Sequence, residues 1–141
     1  MKMNNLIKAH YGNEDIQRLN MSTDLNKWKS EATFITIENQ FYKKILLSKL
    51  VEKININQQD LYFLQQELES LEIKNDEFLE KLRRFINELE GYKECEDLQC
   101  ETFYLNEIQK FKIEIENYFF ENRNLKILLF SYLNNGIKQF L

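Results

Sequence analysis

The clearest pattern in the chain is a row of apolar residues spaced alternately three and four positions apart. Its members are Leu61, Leu64, Leu68, Leu71, Asn75, Phe78, Leu82, Phe85, Leu89 and Tyr92. This is the heptad spacing of a helix that packs lengthwise against other helices, with one polar member, Asn75. A second row has the same form and also one asparagine: Tyr104, Ile108, Phe111, Ile115, Tyr118, Asn122, Leu125, Leu129 and Tyr132. The two rows predict long helices at about 58–92 and 100–134.

A third helix is predicted upstream, at about 24–53, where apolar residues recur with helical spacing. Ser22 and its neighbours offer cap oxygens ahead of it, and Asn57 offers one ahead of the next helix. Residues 1–21 have weak periodicity and are predicted to be a tail with one possible short helix. Gly136 is expected to end the last helix, leaving 137–141 as a second tail.

Three helices of about 45 Å, joined by short loops, must run up, down and up. The predicted fold is therefore all-α: a long antiparallel three-helix bundle over residues 22–136, with coiled-coil-like seams. The alternative is a four-helix bundle, in which the middle helix breaks near Asn75 and Asn75 caps the fourth helix.

Composition supports long helices, because the 141 residues include no proline and only three glycines. A net charge of −4 counts against a general nucleic-acid partner. The N-terminal residues lack the apolar core of a secretion signal, and no apolar run reaches the ~20 residues that span a bilayer. We therefore expect a cytoplasmic protein with no membrane partner. Abundant Lys, Asn and Ile are consistent with a bacterial or phage source.

The first predicted helix has two apolar flanks, one made of Phe34, Ile37 and Phe41 and the other of Trp28, Ile35 and Tyr42. Glu31 and Glu38 lie between the flanks, so both are predicted to face the bundle axis. A buried carboxylate needs partners. Helix lengths place Asn75, Tyr118 and Asn122 level with Glu38, which predicts a buried polar layer there. Glu31 is expected in a separate layer, nearer a lysine or arginine at the edge of the bundle.

Metal and acid–base chemistry are not favoured at these glutamates. They lie ~10.5 Å apart along a helix, and His10, the only histidine, falls in the predicted tail. Cys95 and Cys100 supply only two ligands of a zinc site and are expected to stay reduced in the cytoplasm. A shared metal or a redox-sensitive disulfide remains open for this pair. We expect no cofactor and no metal.

The chain has more aromatic residues than one narrow seam can hold. Such a surplus is typical of an interaction surface, and the alternative is that these residues fill the core of the bundle. The candidates for this surface are Tyr62, Phe63, Tyr104, Phe119, Phe120 and Phe130. The predicted function is protein–protein interaction through an aromatic helix face, as an adaptor, an inhibitor or immunity-type partner, or an assembly subunit. Two alternatives remain: an enzyme or ligand-binding bundle using Glu31 and Glu38, and a structural homodimer.

Charge is distributed unevenly along the predicted bundle. Residues 88–101 hold six acids and one lysine. The opposite end collects Lys43, Lys44, Lys49 and Lys53, with Arg123 and Lys126 on the neighbouring helix. This asymmetry would suit contacts made through the ends of the bundle.

Overall fold

A computed structural model describes residues 13–138, apart from the side chains of residues 13–19, 90 and 93. It contains four helices: α1 (Asn13–Leu46), α2 (Leu50–Lys53), α3 (Gln58–Lys93) and α4 (Leu98–Lys138). Within the described residues there is no strand, and no helix is long and apolar enough to cross a bilayer. The predicted all-α class is confirmed.

The three long helices alternate in direction, as cross-helix contacts show. Lys43 of α1 lies 3.6 Å from Glu72 of α3, while Thr36, earlier in α1, meets Asn75, later in α3. Between α3 and α4, Lys74 pairs with Glu121 and Lys81 pairs with Glu114, again in opposite order. The bundle is therefore antiparallel between sequence neighbours, and α1 runs parallel to α4.

No break occurs at Asn75, which lies inside the uninterrupted α3. The alternative that made Asn75 a helix cap is wrong, because its side chain is buried among three helices instead of closing a helix end. The fourth helix is α2, a single turn in the connection between α1 and α3.

Several helix ends differ from the predicted ones. The first helix begins at Asn13, so part of the predicted tail is helical, and the chain turns after Leu46 instead of continuing to residue 53. Asn57 caps α3 as predicted, since its Oδ1 accepts a hydrogen bond from the Gln59 amide at 2.7 Å. Gly136 does not end α4, which continues to Lys138; it is buried directly against Ile54, where any side chain would clash. Of the predicted tails, 1–21 and 137–141, residues 1–12 (with His10) and 139–141 lie outside the described residues.

The core runs along the bundle axis as two clusters that share Phe78 and Phe119. On α1 the buried positions are Met21, Leu25, Trp28, Ala32, Ile35, Asn39, Tyr42 and Leu46. They follow the same alternating three-and-four spacing as the rows on α3 and α4. Each long helix thus contributes one buried asparagine, Asn39, Asn75 or Asn122.

The loop between α3 and α4 is closed by a disulfide between Cys95 and Cys100, whose Cα atoms are 5.6 Å apart. The structure therefore has the disulfide that the sequence left open for this pair and not the expected reduced thiols, because the loop brings the two side chains within bonding range. Gly91, just before the loop, allows Tyr104 of α4 to lie against α3, since any side chain there would meet the Tyr104 ring.

Candidate functional site

A polar layer lies in the middle of the bundle, on the seam between α1 and α3. Asn75 is fully buried, and its Nδ2 donates to Ala32 O and to Thr36 Oγ1, each at 2.9 Å. The Tyr118 hydroxyl of α4 donates to Asn75 Oδ1 at 2.8 Å, with Leu71 O at 3.3 Å also in reach. Burial raises the pKa of Tyr118, with smaller contributions from the negative charges of Asp76, Glu121 and Glu38. Every polar side chain in this layer therefore has a partner.

A second polar group lies on the seam between α1 and α4. Lys126 is 6% exposed, and its Nζ donates to Asn39 Oδ1 at 2.5 Å. The Glu38 carboxylate is 3.9 Å from the same ammonium group, and the Tyr42 ring centroid is 5.0 Å away. Burial lowers the pKa of Lys126, and the nearby charge of Glu38 acts in the opposite direction. Burial, assisted by Glu38, also raises the pKa of Tyr42.

This second group is incompletely satisfied. Within the described residues, Asn39 Nδ2 is buried without a hydrogen-bond partner. The same holds for Oδ1 of Asn122, which lies one helical turn before Lys126 on α4. A buried polar atom left unpaired costs about 1–3 kcal/mol. The α1–α4 seam is therefore the less well matched of the two.

The two glutamates do not occupy the predicted positions. Glu31 is exposed, so its placement in a buried polar layer is wrong. Glu38 is half-buried and has Lys126 as its charged neighbour, while Asn75 and Tyr118 bond to each other. The axis-facing positions of α1 are Ala32 and Asn39, each one residue after a glutamate. The prediction centred the buried face of α1 on the two glutamates because it counted Phe34, Ile37 and Phe41 as core residues.

Those three residues are on the surface, 55%, 59% and 58% exposed. Their spacing of three and four places them on one side of α1. The Phe41 ring contacts the Tyr42 ring at 5.5 Å, and Tyr42 contacts Phe130 of α4 at 5.8 Å, in edge-on geometry. Phe130 is 61% exposed, so the aromatic contacts bridge from one helix surface to the other. Ile127, 58% exposed and three residues before Phe130, lies on the same side of α4. We call this surface the α1–α4 face; it consists of Phe34, Ile37, Phe41, Ile127 and Phe130.

The six aromatic residues predicted as an interface do not form one surface. Tyr62, Phe63, Phe120 and Phe130 are exposed, on two different helices. Tyr104 and Phe119 are half-buried and pack against the core. Only Phe130 belongs to the α1–α4 face. The rest of that face could have been found from the spacing on α1, because a row of buried residues that passes through Ala32 and Asn39 leaves Phe34 and Phe41 on the outside.

An open groove of about 500 Å³ lies between α3 and α4 near the disulfide loop. Its walls include Phe85, Phe103 and Tyr104 with several charged side chains. Two of its lysines already have acidic neighbours, Lys81 with Glu114 at 3.5 Å and Lys110 with Glu107 at 3.7 Å. Among the described residues, no group of three or more His, Cys, Asp or Glu side chains is arranged to hold a metal ion.

Comparison of the chain with protein-family models, with curated proteins and with solved structures found no match. Function is therefore inferred from the surface and the buried groups of this chain alone.

Proposed function

We propose that this chain is a protein-binding helical bundle whose partner contacts the α1–α4 face. The observation that carries the proposal is the pair Phe41 and Phe130, which are 58% and 61% exposed and joined through the ring of Tyr42. Exposed aromatic residues that cluster across two helices are typical of interaction surfaces, where they supply most of the binding free energy.

The chemistry around the face favours a helix as the bound element. Phe34, Ile37 and Phe41 form a straight apolar ridge on α1, and Phe130 lies on the parallel helix α4. A partner helix laid along the seam between them would bury apolar residues at helical spacing. Glu38, half-buried beside the ridge, would then fix the register of a basic residue on the partner. Adaptor, inhibitor or immunity-type partner, and assembly subunit all remain compatible with this mode.

The alternative enzyme or ligand-binding bundle at Glu31 and Glu38 has little geometric support. Glu31 is exposed, while Glu38 lies on the seam beside Lys126, so the two carboxylates do not converge. The structural homodimer remains a distinct outcome, because a second copy could cover the same face.

The test compares Phe41→Ser/Phe130→Ser with a matched control, Tyr62→Ser/Ile73→Ser, which removes equally exposed apolar side chains from α3. Tagged variants are used to capture partners from the organism that encodes the chain, with quantitative mass spectrometry. Loss of two aromatic anchors is expected to reduce capture of a specific partner by about 30-fold or more. Equal capture by the two double variants would contradict the proposal.

Light scattering of the purified chain separates the homodimer from a different partner. A wild-type mass twice that of the Phe41→Ser/Phe130→Ser variant would identify the partner as a second copy. Circular dichroism of each variant checks that helix content is retained.

A cytoplasmic location remains a prediction. The Cys95–Cys100 disulfide counts against it, because such bonds persist mainly in oxidising compartments. Blocking free thiols at the moment of cell lysis and measuring the mass of the chain would show which state is present in the cell.

A further inference from the structure

Residues 47–54, which comprise the turn after α1, the short helix α2 and the residue that follows it, bury one side and expose the other. Val51 and Ile54 are 5% and 2% exposed and pack into the core cluster that contains Tyr42. Leu47 and Leu50, in the same segment, are 72% and 38% exposed. The turn is held by local hydrogen bonds, including Ser48 Oγ to Ile45 O at 2.7 Å. The two leucines are therefore held outward by a fixed backbone.

Lysines surround these leucines. Residues 43–53 contain four lysines and one glutamate, a net charge of +3 in a chain whose total is −4. Lys43 is paired with Glu72, but within the described residues no carboxylate lies within 4.0 Å of Lys44, Lys49 or Lys53. Burial of Gly136 against Ile54 brings the end of α4, with Lys138, to the same end of the bundle. We call this surface the basic end: Lys44, Lys49 and Lys53 with Leu47 and Leu50.

We propose that the basic end docks on an anionic lipid surface. Leucine side chains need an apolar phase and the surrounding ammonium groups need anions, and the boundary between lipid headgroups and acyl chains supplies both at one depth. The expectation of no membrane partner rested on the lack of a spanning segment, which does not bear on a contact made by one turn.

The charge distribution also sets the orientation of the docked bundle. The opposite end carries Glu94, Glu96 and Asp97, all exposed, and an anionic surface would repel it. With α3 about 54 Å long, the two ends are separated by several Debye lengths at physiological salt. The bundle would stand end-on, leaving the α1–α4 face free for its proposed partner.

The test is co-sedimentation of the purified chain with lipid vesicles. Vesicles of phosphatidylcholine with about 30% phosphatidylglycerol are compared with pure phosphatidylcholine, in about 0.05 M and about 0.5 M salt. We expect binding only to the anionic vesicles, weakened by salt. Lys44→Gln/Lys49→Gln is expected to weaken it about 25-fold, at about fivefold for each lysine. Leu47→Ser is expected to weaken it about fivefold.

Two control variants locate the contact. Lys27→Gln/Lys29→Gln removes the same charge from the exposed side of α1, and Leu98→Ser removes an equally exposed leucine from the acidic end. Both should bind like the wild type. The proposal is overturned if the anionic vesicles do not bind the chain, as expected of a basic end that contacts an acidic protein instead. It is also overturned if the control variants bind as weakly as the variants of the basic end.

Discussion

The α1–α3 seam and the α1–α4 seam each contain buried asparagine, but the asparagine amides are fully hydrogen-bonded only in the first. On the α3 side, Asn75 uses both ends of its amide, and its carbonyl oxygen accepts from the Tyr118 hydroxyl. On the α4 side, Asn39 supports Lys126 through Oδ1 but leaves Nδ2 unpaired, and Asn122 leaves Oδ1 unpaired. A buried asparagine on a heptad row is therefore not in itself a stabilising or a specifying feature. What it does depends on whether the neighbouring helix offers matching groups.

The seam with the unpaired polar atoms is also the one that lies beneath exposed aromatic residues. The α1–α3 seam, where the polar groups are paired, is also joined by Lys43 and Glu72. The α1–α4 seam, where they are not, lies under the α1–α4 face. A fully matched seam has nothing to gain from a partner, whereas packing an added helix over an unmatched one would exclude water and order its polar groups. This is why the α1–α4 side is the proposed binding side.

The largest effect is expected from Asn75→Leu. This change has similar volume but removes three hydrogen bonds and leaves the Tyr118 hydroxyl with only the more distant Leu71 carbonyl. Unfolding free energy should fall by about 1–3 kcal/mol, measured by urea denaturation at neutral pH. Adding Tyr118→Phe to the variant should recover part of the loss, because it removes the buried hydroxyl that is left with only the longer bond to Leu71 O. An unchanged midpoint for Asn75→Leu would mean that the layer contributes nothing to stability.

The comparison of the two seams also predicts that Asn39→Asp increases stability. A carboxylate keeps an oxygen toward Lys126 and replaces the unpaired Nδ2 donor with an acceptor. Stability at neutral pH should rise by about 1 kcal/mol, since the bond from the Lys126 ammonium to a neutral amide oxygen becomes a bond between opposite charges. Asp24→Asn, a change of charge at a position outside the seam, serves as the control. A loss of stability would show that Nδ2 has a partner in solution.

A smaller effect is expected from Asn122→Leu, the same substitution as at Asn75. It removes a buried oxygen that has no partner among the described residues. Stability should stay the same or rise by up to about 1 kcal/mol, because no bond is broken and apolar area is added. A loss as large as that of Asn75→Leu would remove the distinction between the two seams.

Most of the fold follows from periodicity, and the errors share a physical cause. The rows on α3 and α4 identified Asn75, Tyr118 and Asn122 as buried because large apolar residues mark those rows on both sides. On α1 the row passes through Ala32 and Asn39, which carry little hydrophobic signal, while Phe34 and Phe41 carry a strong one outside the core. Because the prediction followed the large apolar side chains, it placed Glu31 and Glu38 on the core face of α1 instead of Ala32 and Asn39.

Two further features could not be read from the sequence. Burial of Lys126 depends on Asn39 and Tyr42, which come from a helix 80 or more residues earlier, and no local pattern relates them. The turn after Leu46 interrupts a region that is helical in composition, and it places Leu47 outside and Val51 inside. Both features arise from contacts between distant segments.

The last prediction concerns pH and tests whether Lys126 is buried as a cation. Folding lowers the pKa of Lys126 below its ordinary value of 10.5, so between those two values the folded chain binds fewer protons than the unfolded chain. The free energy of unfolding must therefore rise with pH across that interval. Below the interval Lys126 is charged in both states, so the folded chain bears the full penalty for burying the charge. Lys126→Met has no such penalty, so its stability relative to the wild type should decline as pH rises from 7 toward about 10.

The comparison has to stop near pH 10, because Tyr42 and Tyr118 have pKa values raised above their ordinary 10.0, and their contribution is lost at higher pH. Lys29→Met, which removes an exposed lysine of α1, controls for the loss of one positive charge. A difference between Lys126→Met and the wild type that does not change with pH, or that changes equally in Lys29→Met, would mean that the α1–α4 seam admits water to Lys126. In that case the seam is open in solution, and its unpaired asparagine atoms are hydrated before any partner binds.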